Sequence, residues 1–301
     1  MPVGAEGERA SERPSNEPWT VARVLRWAAD DFRKRNPASP RLEAELLLAD
    51  ALGTDRIRLV IESERGLTDA ELSRYRELIR RRRSGEPVAY ILGRREFYGL
   101  GFAVDKRGLV PRPDTETLVE VALERTRSRS MFGRALDLCT GTGCVAIAFA
   151  KARPTWRVMA SDVSTEAAEL AWENARRLGV AFTVGVLAGH LFDAVGEQRF
   201  ELVVANPPYI PSGDIAALEP DIRDFEPRLA LDGGADGLDI VRGIVDGGRS
   251  RLEPGGVLAL EIQHDQAVRT RELFEANGFT DIAVRRDYGG RERVVSGVAP
   301  T

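Results

Sequence analysis

From Gly133 onward the chain alternates short apolar runs with amphipathic stretches, and this rhythm constrains the fold more than any other feature. Apolar runs of strand length separated by helix-length crossovers are the mark of a parallel sheet covered by helices. The first strand is read at Arg134–Leu138, followed by a Gly-rich turn and a helix from Val145 to Lys151. The second strand, Trp156–Ala160, runs into Ser161-Asp162, then a helix over Thr165–Leu178 and a third strand near Phe182–Leu187. Phe200–Ala205 forms a fourth strand, Leu238–Leu252 a helix and Val257–Ile262 a fifth strand. A helix at Gln266–Asn277 and two strands, Ile282–Arg286 and Arg293–Val298, complete the chain; their short connection predicts an antiparallel pair at the sheet edge. The segment 210–235 is too long for a plain connection and is expected to be functional.

The fourth strand ends in Asn206-Pro207-Pro208-Tyr209. Neither proline can donate to a ladder, so the chain must leave the sheet there, at the carboxyl end of a strand, where α/β proteins bind ligands. Taken alone, these residues read equally well as a stiff turn with a packed tyrosine.

A second motif lies between the first strand and its helix: Asp137 to Gly143, with Cys139, Thr140, Gly141, Thr142 and Gly143 forming the turn. Glycines there allow close backbone approach to a ligand, and the helix start offers free N–H groups. Asp162, at the end of the second strand and 19 residues past Gly143, can accept both hydroxyls of a ribose. This spacing suits any adenosine-bearing cofactor and does not separate a nicotinamide dinucleotide from S-adenosylmethionine. The Asn-Pro-Pro-Tyr segment does. A methyl donor needs a nitrogen nucleophile held in line, and the lone pair of a planar nitrogen is delocalised. Acceptors aimed at its N–H bonds, here the Asn206 side-chain oxygen and the Pro207 carbonyl, can turn the lone pair toward the methyl group, with Tyr209 walling the planar group.

Upstream, Val21, Val24, Leu25, Ala28 and Phe32 recur at helical spacing until Asn36-Pro37. Ser39-Pro40 opens a second helix with serine as N-cap, closed by Gly53; a third spans Asp55–Ile61; and Thr68 with Glu71 forms a capping box opening a fourth. Residues 19–86 therefore form a helical bundle, residues 87–111 a β-hairpin connector with turns near Gly99 and Lys106–Gly108, and residues 112–301 an α/β domain that begins with a helix to about Thr126. Met1–Pro18 reads as a disordered leader. The run Arg80–Arg83 is either a solvated helix end that complements the dipole or a docking surface for an acidic or RNA-associated partner.

A net charge of −4 supplies no overall basic field for nucleic acid or anionic membrane. Cys139 and Cys144, the only cysteines, can neither staple the chain nor form a metal site, since no second ligand pair accompanies them; no metal is expected, and a reducing cytoplasmic setting fits. No run is long enough to span a bilayer.

Several stretches resemble the release-factor glutamine methyltransferases (the HemK/PrmC type): Pro40–Leu48, Gly85–Gly93, Glu96–Leu100, Val110–Glu116, Asp137–Gly143, Asn206–Tyr209, Glu226–Leu238 and Asp287–Val294. Asn-Pro-Pro-Tyr alone is shared with DNA adenine and RNA guanine N-methyltransferases; the combination is much more specific. The resemblance implies a Rossmann-like class I methyltransferase domain with a seven-stranded sheet, preceded by a helical substrate-docking domain. It also implies S-adenosylmethionine-dependent N5-methylation of the glutamine in the Gly-Gly-Gln tripeptide of class 1 peptide chain release factors. By position it assigns Cys139–Gly143 to the methionine moiety, Asp162 to the ribose, the segment Gly189–Phe192 with Leu191 to the adenine, and Asn206 to both cofactor and substrate. Asn206, Pro207, Pro208 and Tyr209 would bind the glutamine, with Asn206, Pro207 and Tyr209 carrying catalysis. The chain departs from the family pattern in having Cys139 where glycine is common, His190 where aspartate usually follows Gly189, and Gln263 where glycine is frequent. His190 is expected to weaken cofactor binding unless the imidazole replaces the aspartate. The expected enzyme is a cytoplasmic monomer without a stable nucleic-acid complex. The rivals are a DNA or RNA base methyltransferase, kept open by Arg80–Arg83, and a non-catalytic adaptor.

Overall fold

A computed structural model describes residues 18–34 and 39–300. The expected leader, apart from Pro18, and the helix stop at Asn36-Pro37 lie outside the described residues. The chain divides into two compact units, the first ending at Ser84 and the second beginning at Gly85.

The smaller unit holds α1 (Val21–Arg33), α2 (Pro40–Leu52), α3 (Arg56–Ile61) and α4 (Asp69–Arg83). Val21, Val24, Leu25, Ala28 and Phe32 of α1 are all buried, as their spacing predicts. The Thr68–Glu71 capping box forms, and Gly53 closes α2 in the left-handed conformation. Ser39 occupies the cap position of α2 without a side-chain bond to the helix, so Pro40 in the first turn starts this helix unaided. The arginine run at the end of α4 is largely internal wiring. Arg82, 7% exposed, pairs with Glu43 of α2 at 2.8 Å, and Arg83 pairs with Asp31 of α1 at 2.8 Å. Arg80 pairs with Glu77 one turn back. The Arg82 and Arg83 pairs tie α4 to α2 and α1, while Arg80 remains exposed, as in a solvated helix end.

The larger unit begins with α5 (Val88–Leu92) and a two-stranded hairpin, β1 (Arg94–Phe97) and β2 (Leu100–Ala103). The expected hairpin over the whole connector is thus corrected: residues 88–92 are helical, capped by a left-handed Gly93, and too short to show a period. The hairpin turn is Tyr98-Gly99, both at positive φ, which matches strand twist in a two-residue loop. A 3₁₀ turn (Pro113–Thr115) then leads into α6 (Glu116–Arg125).

The main sheet comprises β3 (Arg134–Leu138), β4 (Arg157–Asp162), β5 (Val184–Ala188), β6 (Phe200–Ala205), β7 (Leu252–Glu261), β8 (Thr280–Arg286) and β9 (Glu292–Val298). Its spatial order is β5-β4-β3-β6-β7-β9-β8, parallel from β5 to β7 and antiparallel for β9 and β8. The last pair lies at the edge as expected, with the final strand β9 inserted beside β7 and β8 outermost. β7 starts earlier than its apolar run because Leu252 already pairs with Phe200 across an irregular step before Val257. Helices α7 (Cys144–Ala152), α8 (Thr165–Arg177), α10 (Asp239–Arg251) and α11 (Ala267–Ala276) cover the sheet, and a short α9 (Pro220–Arg223) sits in the long loop. Alternate strand residues feed two cores. Ala135, Leu202, Val204, Val257 and Ala259 pack with α6 and α7, while Leu136, Leu138, Val203 and Leu258 pack with α10 and α11. The chain builds β3 to β5 in one direction and resumes at β6 on the other side of β3, so the switch point falls between β3 and β6.

Candidate active site

At that switch point Leu138 is the register partner of Ala205, so Cys139 and Asn206 leave the sheet side by side. A cavity of about 740 Å³ opens there, a size suited to a cofactor-sized ligand. Its lining includes Cys139, Thr140, Gly141, Thr142, Asp162, His190, Leu191, Asn206 and Pro208. Gly143 is set back from it: as N-cap of α7 at positive φ, an added Cβ would lie 3.1 Å from Ala171 and Ile147. Pro207 and Tyr209 are not among its lining residues, although Tyr209 is only part-buried.

The Gly-rich turn is fixed from below. Asp137, 1% exposed, accepts from the Thr140 hydroxyl at 2.6 Å and the Ala146 N–H at 3.1 Å. Burial pushes its carboxyl up to about 7 despite these bonds. Asp162 accepts from Gly141 N–H through Oδ2 at 2.9 Å and from Ser164 N–H through Oδ1 at 3.0 Å. Both oxygens therefore have one lone pair engaged and one more to offer a ligand hydroxyl. Burial raises its pKa above the usual carboxylate value, opposed by those N–H groups. Gly141 has nothing within 4 Å of where a Cβ would stand, so this face of the turn is open to a ligand. Cys139 adopts φ 55 and Leu191 φ 45, left-handed values that cost a side-chain-bearing residue energy. Burial and the nearby Asp162 and Asp137 carboxylates push the Cys139 thiol far up, making it a poor nucleophile. His190 is exposed at the start of a 3₁₀ turn (Leu191–Val195) and makes no side-chain cap bond.

Asn206 donates from Nδ2 to the Thr115 hydroxyl at 3.1 Å, which leaves Oδ1 as the free acceptor. The Tyr209 hydroxyl lies 3.4 Å from Glu261 Oε1. The loop 210–235 wraps this segment with backbone: Ile210 N–H donates to Leu231, Gly233 N–H to Ile210, and Ser212 N–H to Gly234. Gln266 donates to the Tyr209 carbonyl at 2.9 Å. A Cβ on Gly233 would sit 2.8 Å from Pro208 O and Tyr209 Cα, and one on Gly237 2.4 Å from Tyr209 O. Gly233 and Gly237 are required because the loop backbone lies directly on the Asn-Pro-Pro-Tyr backbone, whereas Gly234, at φ 90, is crowded by Asp239. Glu226, 5% exposed, receives Arg112 Nη2 at 2.7 Å, joining the loop to the segment before α6. Thr115, Glu261 and Gln266 were not singled out as site residues from sequence. Thr115 and Glu261 are distant in the chain, and only sheet order brings them behind Asn206.

Residues 23–93 match the model of the PrmC N-terminal domain, and residues 114–218 match that of the methyltransferase small domain. The release factor glutamine methyltransferase of Geobacter sulfurreducens is 43% identical over 287 residues, covering 95% of this chain and 99% of the relative. The chain belongs to the release factor glutamine methyltransferase family. The family enzyme of Salmonella typhimurium is 42% identical over 263 residues, covering 87% of this chain and 94% of its own. A methyltransferase from Pyrococcus furiosus superposes with a TM-score of 0.51 at 18% identity, over 76% of this chain and 100% of that one, and shows the fold alone. With the seven-stranded sheet, this membership establishes the Rossmann-like class I methyltransferase fold. Among the described residues no helix is long and apolar enough to cross a membrane, and no group of three or more His, Cys, Asp or Glu could hold a metal ion.

Proposed function

We propose that this enzyme transfers a methyl group from S-adenosylmethionine to the side-chain amide N5 of the glutamine in the Gly-Gly-Gln motif of class 1 release factors. The observation that carries this reading is the orientation of Asn206, whose Nδ2 is engaged by Thr115 so that Oδ1 is the acceptor left for a planar nitrogen. Full-length similarity to family enzymes supports glutamine rather than a nucleic-acid base as the owner of that nitrogen.

The cofactor supplies an electrophilic methyl on a sulfonium. Cys139–Gly143 are assigned to its methionine end, Asp162 to its ribose and the segment with Leu191 to its adenine. The open face of Gly141, the cavity size and the two free lone pairs of Asp162 support that assignment. Asn206 Oδ1 and the Pro207 carbonyl accept the two amide N–H bonds, turning the lone pair toward the methyl, while Pro208 and Tyr209 bound the planar group. The proton is lost after transfer, so no general base is required.

Residues 19–86 are assigned to docking of the protein substrate. The exposed apolar side chains of α3, Ile57, Val60 and Ile61, support this role. The enzyme is read as a cytoplasmic monomer that holds no stable nucleic-acid complex.

Incubation with cofactor and a class 1 release factor, followed by mass spectrometry, tests the proposal. A methyl increment on the Gly-Gly-Gln glutamine is expected. Methylation of nucleic acid with none on the release factor would reverse it in favour of a base methyltransferase, and calorimetry without cofactor binding would favour an adaptor.

A further inference from the structure

Glu261 ends β7, whose register pairs Leu260 with Ala205 of β6, so Glu261 and Asn206 are the next residues on neighbouring strands. Glu261 is 1% exposed, and its Oε2 is fully enclosed with no hydrogen-bond partner. Oε1 faces the Tyr209 hydroxyl at 3.4 Å. Thr115, 2% exposed, accepts from Asn206 Nδ2 at 3.1 Å, and its hydroxyl lies near the Glu261 carboxyl. One hydroxyl thus stands between the carboxyl and the amide.

A hydroxyl has a single proton to give. Directed at an ionised Glu261, it leaves only lone pairs facing Asn206, and the amide must present Nδ2 to Thr115. Oδ1 then faces the substrate as an acceptor. A protonated Glu261 can instead donate to Thr115, freeing the threonine proton for Asn206 Oδ1. The amide can then turn over and present N–H groups to a substrate nitrogen that itself carries N–H.

We propose that Glu261 is a positioning residue for methyl transfer: through the Thr115 hydroxyl, its carboxylate fixes which end of the Asn206 amide faces the substrate nitrogen. This rests on the function proposed above.

The groups facing Glu261 set its charge. Arg293 of β9 favours ionisation and is itself held by Asp287 at 3.2 Å and Asp114 at 3.0 Å. Asp114, in the turn before α6, opposes it; Tyr209 favours it; and Cys144, at the start of α7, feels the Glu261 charge. Burial is the largest influence and leaves the carboxyl titrating at about 7, against the pull of Thr115, Arg293 and Tyr209.

The test measures kcat and KM on a release factor between about pH 5.5 and 8.5, with cofactor affinity by calorimetry, for the full chain and its Glu261→Gln, Thr115→Val and Thr115→Ser variants. Glu261→Gln should lower kcat by about 10- to 100-fold with unchanged cofactor affinity, and lose the rise in kcat that accompanies Glu261 ionisation. Thr115→Val should fall similarly although it keeps the carboxyl, Thr115→Ser should retain most activity, and the double variant should be no worse than either single one. Should Glu261→Gln unfold, the Thr115 pair carries the test. Wild-type kcat and pH profile in Glu261→Gln, or wild-type kcat in Thr115→Val, would overturn the positioning role alone. A wild-type enzyme inactive on release factors would overturn the substrate assignment and this proposal with it.

Discussion

Leu138 and Ala205 are register partners in adjacent parallel strands, and that pairing sets Cys139 beside Asn206. Cys139 and Asn206 follow them directly, so the Gly-rich turn and the Asn-Pro-Pro-Tyr segment start as neighbours although 67 positions separate them. This neighbourhood lets one cavity present an open glycine turn on one side and an amide acceptor on the other.

Asn206→Ala should separate binding from chemistry. In the proposed role its acceptor is aimed at the reacting nitrogen, so the loss should fall on kcat, by about 100-fold or more, with cofactor affinity changed little. Single-turnover methyl transfer together with calorimetry checks this; near-normal turnover would remove Asn206 from the chemistry.

Asp162→Asn should act in the opposite sense. Both carboxylate oxygens accept backbone N–H bonds, so the new amide must set an N–H₂ against Gly141 or Ser164. It also loses a charged acceptor for a ribose hydroxyl. Loss of a charge-assisted bond of about 1.5–3 kcal/mol corresponds to cofactor affinity weaker by about 10- to 100-fold, measurable by titration calorimetry.

Gly233→Ala tests the backbone seat beneath Asn-Pro-Pro-Tyr. The new methyl would meet Pro208 O, Tyr209 Cα and Gly237 O, each at 2.8 Å, and backbone atoms cannot rotate away. Stability should drop by about 1–3 kcal/mol, and kcat should fall even below the melting temperature as the segment shifts. Denaturant melts paired with kinetics would show both effects.

Cys139→Gly should be tolerated. At φ 55 the cysteine pays left-handed strain that glycine does not, while glycine adds freedom to the unfolded chain. A net gain of about 0.5–1 kcal/mol in thermal or denaturant unfolding is expected. The wild-type thiol, its ionisation suppressed, should react slowly with alkylating reagents in the folded enzyme.

Glu261 gives a pH-dependent stability prediction with a definite sign. Its folded pKa is raised from 4.5 to about 7, so the folded state binds the proton more tightly than the unfolded one. Its contribution is fully present below about pH 4.5 and is lost as pH rises through about 7, by at most about 3 kcal/mol. Relative to wild type, Glu261→Gln should therefore melt higher at pH 8 than at pH 5, while being the slower enzyme. Paired melting curves at the two pH values decide it; an unchanged difference would show that Glu261 is not buried as a titrating group.

The sequence by itself determined what local physics controls. Strand β6 begins and ends where its apolar run does, because a buried parallel strand needs an unbroken run and Asn206-Pro207 cannot extend it. The capping box at Thr68 and the left-handed Gly53 formed because they depend on residues three or four apart. Helix α5 was not legible, since a stretch of 5 residues shows no periodicity and owes its form to Pro87 and Gly93. Arg80–Arg83 looked like a surface charge run until the packing of α4 brought Arg82 to Glu43 and Arg83 to Asp31. The Asn-Pro-Pro-Tyr residues by themselves place a carboxamide at a strand end and no more. That side chain is held through its Nδ2 by Thr115 and stands in register beside Glu261, 91 and 55 positions away in the chain. Only strand order and register bring them there, and those follow from packing the whole sheet rather than from any local stretch.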